Sequence, residues 1–306
     1  MRYGQIADVE KPVSRLVMGS MVFHTDRIPY SFGLLDEFLE IGGTAIDTAY
    51  VYAGGESEKV VGRWIRERGI RDRIVVIAKG AATMEATPEI VTRELIVSLD
   101  RFGLESADVY LMHRDNPAVP VGEFVDVLNE HRAAGRFTAF GGSNWEPERL
   151  QAANEYAAAK GLQGFSASSP NFSLAHWNEP MWGGCTAAVA PDVRDWYQET
   201  QMALLAWSSQ ANGFFTGNFS QDNPSNSEIV RVWYNDANFE RLRRAQELAE
   251  KKGVSSLQIA LAYVLDQPMN IFALIGPRNS LELQTSAQAL DVCLTPEELA
   301  WLNLEA

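Results

Sequence analysis

TAIDTAYVYAGGESEKVVGRWIRERGIRDRIVVIAKG, residues 44–80, contains two short apolar runs on either side of a longer amphipathic run. Residues 44–47 and 74–79 have the length and composition of buried strands, whereas residues 57–69 carry apolar side chains at helical spacing. A strand, a helix and a second strand in this order are typical of two parallel strands joined by a crossover helix.

The alternation of short apolar runs and longer amphipathic runs continues along the chain. Strand-like runs occur eight times, at residues 16–19, 44–47, 74–79, 108–113, 137–143, 165–169, 202–207 and 271–276. Strict alternation predicts a parallel sheet covered by helices, and eight units favour closure of that sheet into a barrel. We therefore predict an α/β fold, a (β/α)8 TIM barrel that residues 1–306 form as a single domain.

An open, doubly wound parallel sheet is the alternative to a barrel. That fold binds dinucleotides through a G-x-G-x-x-G turn, and the sequence contains no such motif, because GGESEKVVG at 54–62 has a different spacing. Two long segments, 170–190 and 208–237, follow strand-like runs. In a barrel such segments lie at the C-terminal face, so we expect long loops there that form a lid.

Composition and charge exclude several classes of protein. A formal net charge of −14 without a basic cluster argues against nucleic-acid partners. No apolar run approaches the roughly 18 residues of a spanning helix, and residues 1–12 lack the apolar core of a secretory signal. We therefore expect a soluble, cytoplasmic protein with no membrane partner. Cys185 and Cys293 are too far apart in sequence to indicate a disulfide framework or a metal cluster, and no metal is expected.

The candidate catalytic residues lie where strands end, because the reacting groups of a barrel come from the C-terminal ends of its strands. Asp47 ends the second strand-like run, Lys79 the third and His113 the fourth, and Tyr52 lies in the loop after the second. Each has an ordinary structural explanation when taken singly, but together they converge on one mouth. Tyr50 stays open as an alternative to Tyr52, because alternation could direct either ring inward.

These strand ends carry a family resemblance, because the chain is similar to the aldo-keto reductases in several motifs that occur in order. The motifs are GGTAIDTAYVYAGGESEKVVG at 42–62, IAKG at 77–80, YLMHRDNP at 110–117, GGSNW at 141–145, LAWSSQANGFFTG at 205–217 and IGPRNSLEL at 275–283. The resemblance implies a catalytic tetrad of Asp47, Tyr52, Lys79 and His113, and reduction of an aldehyde or ketone to an alcohol.

The chemistry of carbonyl reduction gives each residue of the tetrad a role. Hydride addition leaves charge on the carbonyl oxygen, so a proton donor must face it, and Tyr52 is the expected donor. We expect the Lys79 ammonium to lower the pKa of Tyr52 from ~10, and Asp47 to keep Lys79 charged. His113 would orient the carbonyl, and Gly54-Gly55 would let the loop bend.

The resemblance also implies a nicotinamide cofactor. Ser143 and Asn144 would bind its carboxamide, Trp207 would stack on the nicotinamide ring, and Arg278 would lie near the adenosine phosphate. Ser169 stands where the family carries glutamine. The remaining implied cofactor residues are Ser208, Gln210, Gly213, Ser280 and Gln284. A guanidinium gains two charge-assisted bonds from a phosphate and little from a ribose hydroxyl, so we expect NADP(H) rather than NAD(H).

The substrate is expected to be a small carbonyl compound, and aromatic residues near the expected mouth suggest aryl or sugar-like carbonyls. The candidate substrate residues are Phe23, His24, Trp145, Trp177, Trp182 and Trp233.

Two other functions stay open from the sequence. One is a cofactor-free barrel hydrolase or lyase with Asp47, Glu56 or Asp115 as paired carboxylates, or with Lys79 as a Schiff-base nucleophile. The other is a non-catalytic subunit that keeps the fold and binds the cofactor.

Overall fold

The computed structural model describes residues 1–220 and 226–306, in which ten short strands occur. They are β1 Tyr3–Gly4, β2 Val13–Ser14, β3 Leu16–Gly19, β4 Ala45–Asp47, β5 Val75–Gly80, β6 Val109–Met112, β7 Ala139–Ser143, β8 Ala167–Ser169, β9 Ala203–Ala206 and β10 Ile271–Ile275. Strands β3 to β10 form a closed parallel barrel, in which β10 pairs with β3. Every strand-like run of the sequence is a barrel strand, so the predicted (β/α)8 TIM barrel is confirmed.

Eleven α-helices occur in the described residues. They are α1 Ile28–Glu40, α2 Glu56–Arg68, α3 Pro88–Phe102, α4 Val121–Ala133, α5 Pro147–Lys160, α6 Pro191–Thr200, α7 Ser227–Trp233, α8 Asp236–Lys252, α9 Ser256–Leu265, α10 Ser280–Gln288 and α11 Pro296–Leu302. Helices α3, α5 and α6 begin at proline, whose fixed φ suits the first turn.

Helices α8 and α9, which lie between β9 and β10, were not evident from the sequence. Eight of the ten residues of α9 are buried, so this helix lacks the polar face that makes a helix recognisable in sequence. Its start did have a local signal, because Ser255 and Gln258 form a capping box.

The core has two parts. Apolar side chains inside the barrel, among them Val17, Ile77 and Leu111, form one cluster, and a larger cluster fills the space between the strands and the helices. Gly141 permits a close approach of β7 and β8, since a Cβ there would lie 1.8 Å from the carbonyl oxygen of Ala167.

The N-terminal segment closes one end of the barrel. Strands β1 and β2 pair antiparallel, and Ile6 and Val9 between them are buried in the inner cluster. Below the strands, Lys11 and Arg71 both bind Asp108 at 2.7 and 2.8 Å. The parallel strands terminate at the opposite end, where the sequence predicts the site. Within the described residues, no helix has the length and apolarity needed to cross a membrane.

Candidate active site

Asp47 and Lys79 form an ion pair at the ends of β4 and β5. Both side chains are only 2% exposed. Strand pairing holds them at this height, because the backbone N–H of Thr48 donates to Ile77 and that of Tyr50 donates to Lys79. Burial alone would lower the pKa of Lys79, but the charges of Asp47 and Tyr52 outweigh it and raise that pKa. Lys79 therefore stays protonated at neutral pH.

Tyr52 lies in the loop after β4, with its hydroxyl 3.3 Å from Lys79 Nζ. The loop bends sharply, because Ala53, Gly54 and Gly55 all have positive φ, at 50°, 63° and 93°. A side chain at Gly55 would also meet Arg101, whose Cζ would lie 2.4 Å from the added Cβ. Conformation thus favours glycine at both 54 and 55, and packing against Arg101 adds a second reason at 55.

His113 follows β6 and faces Tyr52, with ring centroids 5.7 Å apart in an edge-to-face arrangement. Burial, and then the charges of Lys79 and Arg114, lower the pKa of His113 well below its usual value. The imidazole is therefore neutral at neutral pH. Its buried Nδ1 has no hydrogen-bond partner among the described residues.

The pKa of Tyr52 differs from the sequence-based expectation. Burial raises this pKa above the usual 10, and the lowering by Lys79 is smaller than the effect of burial. The expected net lowering is therefore wrong for the free protein, although Lys79 acts in the expected direction. Tyr52 is protonated at neutral pH, as a proton donor must be.

Ser143 and Asn144 form a hydrogen-bonded group at the end of β7. Asn144 has a left-handed backbone, with φ 59°, and its Nδ2 donates to the carbonyl of His113 at 3.2 Å. Its Oδ1 accepts a hydrogen bond from Trp207 Nε1 at 3.2 Å. Ser143 Oγ donates to the Ser169 carbonyl at 2.9 Å. These bonds connect the ends of β6, β7, β8 and β9 around the mouth.

Ser169 is less available than the sequence suggested. Its side chain is fully buried, and its hydroxyl donates to the Leu205 carbonyl at 2.8 Å. The only proton of the hydroxyl is thus used within the barrel wall, which disfavours the expected contact with a carboxamide.

Three tryptophans lie together at the mouth. Trp207, which follows β9, has Trp177 and Trp182 at ring-centroid distances of 5.8 Å each. Both neighbours come from the loop 170–190, so this loop covers the side of the mouth where Trp207 lies. Trp182 remains 46% exposed.

Three of the proposed substrate residues lie elsewhere. Phe23, Trp145 and Trp233 are at most 1% exposed, so no substrate can contact them in this structure. Trp145 packs behind β7 against Phe124 and Phe165, and Trp233 is in the buried face of α7. The prediction that these three rings line the pocket is wrong, because a large apolar ring gains more from burial in the core. His24 is exposed at the loop after β3.

The loop after β9 has an unusual backbone. Ser208, Ala211 and Asn212 are left-handed residues other than glycine, with φ of 47°, 46° and 51°, and Gly213 has φ 84°. Such strain concentrates at ligand-binding sites, and successive turns of this type direct backbone N–H groups into a concave surface that suits a phosphate. Gln210 Nε2 donates to Ser286 in α10 at 3.1 Å, which ties this loop to that helix.

At the start of α10, the predicted phosphate-binding groups contact acids. Ser280 Oγ and Gln284 Nε2 both donate to Glu37 Oε1, at 2.7 and 3.0 Å. The Arg278 side chain is 76% exposed, with Nε 3.8 Å from Glu282. The sequence analysis did not find Glu37, because it lies in α1, more than 240 positions before α10.

Glu58 and Arg101 were also not among the candidate site residues predicted from the sequence. Arg101 Nη1 donates to the Tyr50 carbonyl at 2.8 Å and to the buried Glu58 carboxylate at 2.9 Å. This pair holds the loop of Tyr52 against α3. The Tyr50 ring packs under the same guanidinium, with Arg101 Cζ 4.4 Å from the ring centroid. Tyr50 is therefore directed away from Lys79.

The carboxylates of the hydrolase alternative do not assemble. Asp115 is held by Arg149 through two bonds of 2.9 Å. Glu56 binds Lys59 at 2.7 Å and also Thr25. Neither acid is paired with Asp47, which is bound to Lys79.

Comparison with known proteins shows what this chain is similar to. The sequence profile described as the Aldo/keto reductase family matches residues 15–303. Aldo-keto reductase YhdN of Bacillus subtilis is 26% identical, over 99% of this chain and 93% of the relative. Norsolorinic acid reductase stcV of Emericella nidulans is 28% identical, over 88% of this chain and 70% of the relative. A Klebsiella pneumoniae aldo-keto reductase solved with NADPH superposes with TM-score 0.76 at 24% identity, over 100% of this chain and 95% of that one.

Proposed function

Because the chain belongs to the aldo/keto reductase family, we propose that it reduces an aldehyde or ketone to an alcohol with NADP(H). The observation that carries this proposal is the position of the Tyr52 hydroxyl, 3.3 Å from the buried Lys79 ammonium at the end of the barrel where the strands terminate. A protonated phenol beside a fixed cation suits the transfer of a proton to an oxygen that gains negative charge.

Each member of the tetrad has a distinct task in this proposal. Tyr52 donates the proton to the carbonyl oxygen. Lys79 favours the phenolate that Tyr52 becomes, and Asp47 keeps the lysine charged in a site that would otherwise disfavour a cation. The neutral His113 donates a hydrogen bond to the same oxygen and orients the carbonyl carbon.

The residues around the mouth fit NADP(H). Asn144 and Trp207 line the part that would receive the nicotinamide, and the left-handed loop from Ser208 to Gly213 would hold the diphosphate. Arg278 would bind the adenosine phosphate. When bound, the cofactor supplies a hydride to the carbonyl carbon. The NADPH in the Klebsiella neighbour supports the same cofactor here.

The test is the loss of reduced-cofactor absorbance when the protein is mixed with NADPH and a panel of aldehydes, ketones and sugars. We expect turnover of at least one class, with Tyr52→Phe as the inactive control. No turnover of any carbonyl, combined with tight NADPH binding, would favour the non-catalytic cofactor-binding subunit. A borohydride-trapped adduct on Lys79 would establish the Schiff-base alternative instead.

A further inference from the structure

Arg114 is a cation beside the tetrad for which the proposed reduction gives no role. It directly follows His113, and its Nη1 donates to the His113 carbonyl at 2.7 Å. Its Nε donates to the carbonyl of Gly183, in the loop 170–190, at 3.2 Å. The guanidinium therefore bridges the backbone of His113 and the loop that carries Trp177 and Trp182.

The charge of Arg114 is not neutralised within the part of the chain that the structure describes. No carboxylate there comes within 4.0 Å of its nitrogens, whereas the adjacent acid, Asp115, pairs with Arg149. The two groups that Arg114 does bind are neutral carbonyls, which leave other N–H groups of the guanidinium unused. A half-buried arginine without an acid is costly unless a ligand or water satisfies it.

Arg114 is also close enough to act on the tetrad through its charge. Burial raises the pKa of Tyr52 and lowers that of His113, and the charge of Arg114 contributes to lowering both. The charge of an anion bound at Arg114 would therefore also reach the two groups that are proposed to receive the carbonyl.

From this geometry we propose that the site selects carbonyl substrates that carry a carboxylate, and that Arg114 binds that carboxylate. The inference rests on the proposed carbonyl reduction and adds the substrate class to it. The planar guanidinium matches a carboxylate in shape and charge. The exposed ring of Trp182, next in sequence to the Gly183 that Arg114 binds, offers a flat surface for the body of an aryl substrate.

A pair of matched aldehydes tests the proposal. Para-carboxybenzaldehyde and its methyl ester have nearly the same shape and differ in charge. The ester withdraws electrons more strongly, so its aldehyde is intrinsically the more reactive, and a preference for the acid must come from the protein. We expect the parent to favour the acid by about ten- to a hundredfold in kcat/KM, with a smaller preference at high salt.

Variants separate ion binding from a structural role. Arg114→Gln should bring the ratio of acid to ester close to one, and Arg114→Lys should retain part of the preference. Arg132→Gln, at the opposite end of the barrel, makes the same change in net charge and should keep the parental ratio. If Arg114→Gln lowers kcat/KM for the acid and for the ester by the same factor, Arg114 only secures the loop and the proposal is wrong.

Binding of benzoate, followed by tryptophan fluorescence, gives a readout that does not need turnover. We expect benzoate to bind the parent protein at least about tenfold more tightly than it binds Arg114→Gln. If the ester and other neutral aldehydes are reduced but the acid is not preferred, only this inference fails. If no carbonyl is reduced, the proposed function fails, and the benzoate titration still decides whether Arg114 binds a carboxylate.

Discussion

Lys79 is the residue on which the candidate site depends, because it places a charge in a barrel core where charge is unfavourable. The ion pair with Asp47 compensates for its burial, and the 3.3 Å contact transmits the charge to Tyr52. The three side chains come from β4, β5 and the intervening loop, so their relative positions follow from strand pairing.

Replacing Tyr52 by phenylalanine tests the proton donor. Tyr52→Phe removes the hydroxyl and keeps the ring, so kcat should fall by roughly two to four decades while the dissociation constant of NADPH changes little. Tyr50→Phe is the matched control and should be mild, because the Tyr50 ring packs on Arg101. Equal turnover of Tyr52→Phe and the parent would exclude this role.

Replacing Lys79 by methionine tests the electrostatic role of the lysine. Without the cation the pKa of Tyr52 should rise further, so the alkaline limb of the pH-rate profile should move to higher pH and the rate should fall. The loss leaves Asp47 buried and unpaired, which costs about 3–5 kcal/mol of stability.

The double variant Asp47→Asn/Lys79→Met removes that destabilisation and serves as the control. It should displace the alkaline limb in the same direction as the single variant but by less, because the Asp47 charge, which raises the pKa of Tyr52, is also gone. An unchanged limb in both proteins would show that Lys79 does not influence the titration of Tyr52.

Among the elements, the loop 170–190 matters most for access to the site, and α8 anchors one part of it. The carbonyl of His176 accepts a hydrogen bond from Asn238 Nδ2 at 2.7 Å. The ring nitrogen Nδ1 of His176 lies 3.2 Å from Arg241 Nη2. Burial, together with the charges of Arg241 and Arg194, lowers the pKa of His176 to about 4.

This histidine should make stability depend on pH. The unfolded chain binds a proton on His176 below a pKa near 6.5, but the folded protein resists protonation until about pH 4. The contribution of His176 to the free energy of unfolding is therefore complete above pH 6.5. As the pH falls towards 4, up to about 3 kcal/mol of it is lost. Urea unfolding across this range should show the loss in the parent and a smaller one in His176→Gln. If the stability of the parent and of His176→Gln depended on pH in the same way, this role of His176 would be excluded.

Trp182 tests whether the loop contributes to the substrate pocket. Because its exposed ring lies beside Trp207, Trp182→Ala should raise KM for benzaldehyde about five- to twentyfold, and change KM for a short aliphatic aldehyde much less. Trp145→Phe is the control, since Trp145 is buried behind β7. A uniform change for both aldehydes would indicate that Trp182 only supports the loop.

At the scale of the whole molecule, barrel closure assembles the proposed adenosine end of the site. Pairing of β10 with β3 brings the first helix beside the tenth, so that Glu37 of α1 meets Ser280 and Gln284 of α10. The carboxylate occupies the donors that the sequence assigned to a phosphate, and like charge disfavours the two together.

Removing this charge should strengthen binding of NADPH. Glu37→Gln keeps an acceptor for Ser280 and should lower the dissociation constant of NADPH about five- to thirtyfold, with a smaller effect on NADH. Glu40→Gln, on the same helix, is the control for net charge. Fluorescence titration measures both cofactors, and an equal gain for NADH would show that Glu37 does not face the phosphate.

Arg278 should have the opposite effect on the same measurement. Arg278→Ala should weaken NADPH by about 1.5–3 kcal/mol, roughly ten- to a hundredfold, and leave NADH nearly unchanged. If the parent binds both reduced cofactors equally, or if the variant weakens both alike, Arg278 does not determine the cofactor preference.

Local pattern was sufficient for the barrel and for the order of the tetrad. Each barrel strand and most helices were evident from the pattern of their apolar residues, whereas β1 and β2 were not. Asp47, Lys79 and His113 could be placed because a strand end is a position in sequence as well as in space. Gly54 and Gly55 likewise indicated the bend that positions Tyr52. That residues 1–306 make one domain stays a prediction.

What the sequence by itself determined were the β/α alternation and the chemical groups at the strand ends. Only the tertiary structure decided that Trp145 is buried while Trp182 is exposed, and that Glu37 meets α10. It also decided that Asp115 binds Arg149, which leaves Arg114 without an acid among the described residues. The physical reason is that periodicity specifies which face of an element is apolar, but not which distant element covers it. Burial, ion pairing and pKa all depend on that partner, and the partner is set by barrel closure.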